Sequence, residues 1–257
     1  VLGLADVEEV GSALTDVAAA ALGGGLAAAV RGVEAARGGP VPTDLAVIAM
    51  GRFGGHELGY GSDVDVLFVH DPHPGADAQE ATDAAHAVTH ELRRLLALPA
   101  PDPPLVVDAD LRPEGRQGPL VRTLASFGAY YARWSLVWES QALLRAEPVA
   151  GDPALGARFM ALVDPLRYPA GGLTEADIRE IRRIKARVEA ERLPRGADPA
   201  THTKLGPGGL ADVEWTAQLL QLRHGHEQPH LRTTRTLDAL AAAASHGLLD
   251  REDAETL

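Results

Sequence analysis

An α+β region followed by an all-helical region is the fold class this chain predicts, on three observations. Leu45–Met50 and Val64–Val69 are short apolar runs separated by a glycine pair, the pattern of two buried strands. Between residues 79 and 98 apolar side chains recur at i, i+3 and i+4 and stop before Pro99, which predicts an amphipathic helix. Beyond residue 151 no convincing strand pattern occurs, whereas segments 174–193, 209–224 and 234–246 carry helical periodicity. The change falls near Gly151-Asp152-Pro153.

Taken in order, residues 1–37 set Ala, Leu and Val among acids at helical spacing, broken by Gly23-Gly24-Gly25 and closed by Gly38-Gly39-Pro40. That predicts two helices and a linker over 1–40, then a catalytic region over 41–150 and a truncated helical domain over 151–257. The strand beginning near Ser62-Asp63-Val64-Asp65 is the chemically informative one. Residues two apart on a strand share a face, so Asp63 and Asp65 project together with Cα atoms about 6.5–7 Å apart. Paired hard carboxylates suit Mg²⁺, which takes one or two carboxylates plus substrate phosphates. Gly54-Gly55 upstream lets backbone amides approach an anion without an intervening Cβ. A further carboxylate is available in the apolar run Leu105–Leu111, where Asp108 and Asp110 share a strand face; the pattern does not choose between them. The expectation is metal-dependent phosphoryl or nucleotidyl transfer.

Composition sets limits. Lys plus Arg number 24 against 36 Asp plus Glu, a net charge of −12, which disfavours a nucleic-acid binder. With no cysteine, disulfides and thiolate-ligated zinc are excluded. No signal pattern and no apolar run of about 18 residues stands out, so a cytoplasmic protein without membrane contact is expected.

The motifs Ala46–Leu58 (Ala-Val-Ile-Ala-Met-Gly-Arg-Phe-Gly-Gly-His-Glu-Leu), Ser62-Asp63-Val64-Asp65 and Val107-Asp108-Ala109-Asp110-Leu111-Arg112-Pro113 resemble the glutamine synthetase adenylyltransferase family. The resemblance continues through Trp138–Ala146, Lys204, Gly208–Trp215 and Leu222–Glu227, so it runs from about residue 45 to 245. It implies a polymerase-β-like nucleotidyltransferase fold, a mixed sheet with flanking helices. It also implies transfer of AMP from ATP to a tyrosine of glutamine synthetase with release of pyrophosphate, and two Mg²⁺ ions held by Asp63, Asp65 and Asp108. The family's shared acid in the third block points to Asp108 over Asp110. Gly54, Gly55, Ser62 and Arg112 are the candidate nucleotide-binding residues, Arg112 as a bidentate phosphate clamp, its structural alternative being a salt bridge to Glu114 or a nearby Asp. Many superfamily members have Gly-Ser where this chain has Gly54-Gly55, which leaves backbone amides to cradle phosphate. Family enzymes hold two similar halves, one transferring AMP and one removing it by phosphorolysis. Met50-Gly51-Arg52, Asp212–Trp215 and His226-Glu227-x-Pro229 resemble the transferring half. Glutamine synthetase is the implied protein substrate, and the PII signal protein an implied regulator. The rivals are the removing half, a uridylyltransferase of nitrogen signalling, and a non-catalytic nucleotide- or signal-binding module.

Other residues read as structural. Phe127, Tyr130, Tyr131, Trp134 and Trp138 form one helix's core face, and His70-Asp71 reads as a turn. Arg182, Arg183, Lys185 and Arg187 read as a salt-bridged solvated face, and His224 and His226 are poorly spaced for a metal. Lys204, just before a glycine-rich helix entry, is a candidate anion contact.

Overall fold

The computed structural model describes residues 4–99, 104–194 and 196–256. The chain divides into two compact units, Val1–Ser135 with Arg145–Leu162, and Leu136–Leu144 with Val163–Leu257.

The first unit opens with α1 (Val7–Arg37), started by a reciprocal capping box between Asp6 and Glu9 and stopped at Gly38, which is left-handed. It is one continuous helix of 31 residues, not the two predicted from the glycine triplet. Packing explains the difference. Leu22, Leu26, Ala29 and Val33 are buried in the core on one stripe. A Cβ on Gly25 would meet Leu92 Cδ1 at 2.9 Å, so the bare glycine permits close helix approach. Tertiary contact thus overrides the weak helix propensity of glycine, ~1 kcal/mol per residue. The same helix corrects the expectation about apolar runs. Among the described residues it is the one helix long and apolar enough to cross a membrane. Its buried stripe packs into the core beneath the sheet.

After α1 come β1 (Thr43–Ala49), α2 (Gly51–Gly54), β2 (Val64–Pro72), α3 (Ala78–Leu96), β3 (Val107–Asp108), β4 (Val121–Thr123) and α4 (Leu124–Trp134). Next are α5 (Val137–Leu143), which belongs to the second unit, β5 (Glu147–Gly151), and α6 (Pro153–Arg167), within which the division between units falls. The sheet is mixed. β1 runs antiparallel to β2 and to β5, while β2 runs parallel to β3 at its start and to β4 further along. Alternation places Leu45, Val47, Ala49, Val64, Val66 and Phe68 in one core with the buried residues of α1 and α3. Asp77 caps α3 through the Glu80 amide at 2.8 Å, close to the predicted start.

Two sequence readings fail here. His70 and Asp71 lie within β2 instead of a turn, and His70 is fully buried with Nδ1 3.1 Å from Thr43 Oγ1. The aromatic series is not one helical face. Phe127 and Tyr131 are buried on α4, and Phe127 meets Phe159 edge-on at 5.2 Å. α4 then ends, leaving Trp134 60% exposed, and Trp138 starts in α5.

In the second unit, α7 (Glu175–Arg192), α8 (Leu210–His224), α9 (Thr236–Ser245) and α10 (Arg251–Thr256) come after α5 and the end of α6. The first three agree with the predicted segments. Leu144, Tyr168, Ile181 and Leu222 form its core. Lys185 bonds Glu189 and Asp212, and Arg183 bonds Glu180 at 2.8 Å, so part of the basic cluster is salt-bridged as read.

Candidate active site

The acids meet where β2 begins. The register pairs Val64 with Val107 and Asp65 with Asp108 on adjacent parallel strands. In-register neighbours share a face and lie about 4.8 Å apart. Val64 and Val107 point into the core. Asp65 and Asp108 therefore emerge side by side on the opposite face. Asp63 is exposed one step before the strand. Backbone bonds anchor the arrangement: the Val64 amide donates to Val106 O and the Met50 amide to Asp65 O, each at 2.8 Å.

Gly51, which the sequence reading passed over, is the complement of Asp65. It adopts φ +54°, and a Cβ there would collide with Asp65 Oδ2. The signal was a glycine placed directly after a buried strand and ahead of the acids. Gly54 and Gly55 behave differently from expectation. Their amides donate to Met50 O at 2.9 Å and Gly51 O at 3.1 Å, so they are engaged within and at the end of α2 instead of standing open to an anion. Gly54 is glycine because a Cβ would run into the Arg145 carbonyl. Two polar contacts tie the loop after α2 to the β5 side: an ion pair of Glu57 with Arg145 at 2.9 Å and a hydrogen bond between His56 Nε2 and Glu147 Oε2 at 2.7 Å. Ser62 closes a turn, its Oγ accepting from the Gly59 amide at 3.2 Å.

Asp108 and Asp110 do not share a strand face. β3 ends at Asp108, whose Oδ1 accepts the Asp110 amide at 2.7 Å and turns the chain. Asp110 is then paired with Arg116 at 2.5 Å and with Arg112 at 3.5 Å. Arg112 also corrects an expectation: Nε donates to Gly118 O at 3.0 Å and Nη1 to Ala109 O at 2.8 Å. Its guanidinium braces the loop that carries Asp108 and is not posed as a free phosphate clamp. Lys204 is exposed in the second unit, where Asp212 accepts the Gly208 amide at 2.7 Å ahead of α8.

Among the described residues no three His, Asp or Glu side chains are gathered into a ready-made metal cage. The donor chemistry of Asp63, Asp65 and Asp108 nevertheless fits a hard cation, one whose shell is completed by phosphate oxygens. A cleft of about 620 Å³ opens beside this edge, with Asp108 in its lining.

The family model for glutamate-ammonia ligase adenylyltransferase matches residues 1–162, and that for GlnD PII-uridylyltransferase matches residues 181–257. The chain is similar to proteins named bifunctional glutamine synthetase adenylyltransferase/adenylyl-removing enzyme. The one from Streptomyces avermitilis is 66% identical over 98% of this chain and 25% of its own length. That of Streptomyces coelicolor is 65% identical over 98% of the chain and 25% of its length. For Nocardia farcinica the identity is 59% over 100% of the chain and 26% of the relative. The chain spans about a quarter of the length of the curated relatives it matches. It belongs to the glutamate-ammonia ligase adenylyltransferase family.

Proposed function

We propose that this chain carries an adenylyl-transferring centre, moving AMP from ATP to a tyrosine hydroxyl of glutamine synthetase with release of pyrophosphate. The observation that carries the reading is the Asp65–Asp108 register, with Asp63 one residue before β2. Carboxylates in register on adjacent strands suit a hard cation whose remaining ligands are phosphate oxygens. The reading places the chain in the polymerase-β-like nucleotidyltransferase superfamily and in the cytoplasm.

Asp63 and Asp65 would hold one Mg²⁺ and Asp108 a second, and the ions would supply neutralisation of charge on the transferring phosphoryl group. Asp108 also accepts the tyrosine proton, its carboxylate being fixed in orientation by the bond from the Asp110 amide. Gly51 keeps space for the Asp65 carboxylate, and Arg112 keeps the Asp108 loop in shape. Ser62 shapes the turn that delivers Asp63. Met50-Gly51-Arg52 and Asp212–Trp215 favour the transferring over the removing half. The uridylyltransferase-like match over residues 181–257 supports the PII signal protein as a regulator.

The test supplies the protein with glutamine synthetase, Mg²⁺ and ATP, CTP, GTP or UTP in turn, and weighs the product. One AMP per modified tyrosine, from ATP alone, is expected. Loss of AMP from pre-modified glutamine synthetase on adding phosphate, with no forward transfer, assigns the removing reaction instead.

A further inference from the structure

The cleft beside Asp108 is walled on one side by α3, which presents His86, His90 and Arg93 at i, i+4 and i+7. That spacing puts the three on one helix face over about 10 Å. Val106, 57% exposed, and Arg116 also line the cleft. The acids of the lining are Asp108 and Asp110, and Asp110 is already neutralised by Arg116 and Arg112. Arg93 makes no ion pair among the described residues. Three arginines against two aspartates leave the lining net positive in a chain of net charge −12, and Arg93 is the arginine not tied to Asp110.

Its shape discriminates between anions. A phosphate-sized ligand needs donors converging on one point, whereas His86, His90 and Arg93 are spread over about 10 Å of α3. β3 is also the end strand of its sheet, and an end strand offers unpaired backbone groups to an extended chain. The trough lies against Asp108, the carboxylate assigned to the acceptor hydroxyl. Resting on the proposed function, we infer that this cleft docks the acceptor-bearing segment of the protein substrate, as an extended stretch carrying acidic residues. Arg93 draws in its carboxylates, the ring nitrogens of His86 and His90 offer hydrogen bonds beside it, and Val106 takes its apolar side chains.

Arg93→Glu, Arg93→Lys and wild type, each as the full-length protein, test this by initial rates against glutamine synthetase and against ATP. Arg93 is exposed, and matching thermal melts establish that the variants are folded. Arg93→Glu is expected to raise KM for glutamine synthetase about tenfold while KM for ATP stays within about twofold, and Arg93→Lys to restore most of the loss. Wild-type KM for glutamine synthetase should also rise with added salt more steeply than that of Arg93→Glu. Unchanged KM for glutamine synthetase in Arg93→Glu overturns the inference. So does a rise in KM for ATP alone, which makes the cleft a nucleotide or small-anion site. Both results leave adenylyl transfer standing. Wild type that transfers nothing to glutamine synthetase removes the functional reading itself, and this inference with it.

Discussion

Two Asp-x-Asp pairs serve the same sheet edge, one at the entry to β2 and one at the exit from β3, and the fold treats them in opposite ways. At the entry, Asp63 is exposed and Asp65 lies in register with Asp108. At the exit, Asp108 bonds its own turn, and Asp110 is held by Arg112 and Arg116. The residues just C-terminal to each pair account for the difference. After Asp65 comes the buried run Val66–Val69, which continues a strand. After Asp110 come Pro113 and Gly115, and Glu114 at φ +64°, which close a loop lined with arginine. An acidic doublet thus leads into a buried strand or into a salt-bridged turn according to the chain that continues from it.

The largest expected effect breaks the entry pair. Asp63→Asn or Asp65→Asn should lower kcat more than about a hundredfold, ~2.7 kcal/mol of barrier, with little change in melting temperature. Each change removes the charge of a metal ligand and no packing group. Retention of more than about a tenth of wild-type kcat in either variant ends the assignment.

The exit pair should then divide. Asp108→Asn should stop transfer while ATP–Mg²⁺ affinity, measured calorimetrically, is largely kept through Asp63 and Asp65. Asp110→Asn should change kcat by less than about threefold. It should lower stability by about 0.5–1 kcal/mol, because its arginine pairs are partly exposed. If Asp110→Asn is the inactive variant, the roles at this strand end are reversed.

A glycine pair sharpens the same contrast. Gly51→Ala should reduce kcat about tenfold by displacing the Asp65 carboxylate, with some further loss of stability from its positive φ. Gly54→Ala should act through stability, costing about 2 kcal/mol or more, since its Cβ would meet the fixed Arg145 carbonyl. Denaturant melts together with rates separate the two. Equal activity per folded molecule in both variants would remove Gly51 from the site.

Part of this region was legible as pattern: apolar runs mark β1 and β2, whereas the period of two reads Asp63 onto a strand that begins only at Val64. What escaped depends on contacts between distant segments. The end of β3 at Asp108 is set by a local hydrogen bond that strand periodicity does not register. The continuity of α1 through Gly23–Gly25 is settled by Leu92, far along the chain. Gly54 and Gly55 carry the composition of a phosphate cradle, yet their amides are taken up around a four-residue helix. His70 read as a turn because His-Asp is polar, whereas pairing with Leu45 keeps it in β2.

That buried histidine gives the smallest expected effect, and it contrasts the far end of β2 with its acidic entry. Burial, with His86 nearby adding to it and Asp71 opposing, lowers the His70 imidazole from its ordinary value of 6.5 to about 4. The native state therefore keeps His70 neutral, bonded to Thr43, while the unfolded chain takes up a proton below pH ~6.5. Between these values the unfolded state binds more protons, so stability rises with pH. His70 contributes its full share above about pH 6.5 and loses it as pH falls towards about 4, by up to ~1.4 kcal/mol per pH unit. Urea unfolding of wild type and His70→Phe at pH 7.5, 6.0 and 5.0 measures that share as a difference in slope. Wild type should weaken more steeply than the variant, whatever the offset between them at pH 7.5. Parallel slopes would place the acid sensitivity of this unit in its carboxylates and not in the histidine beneath α3.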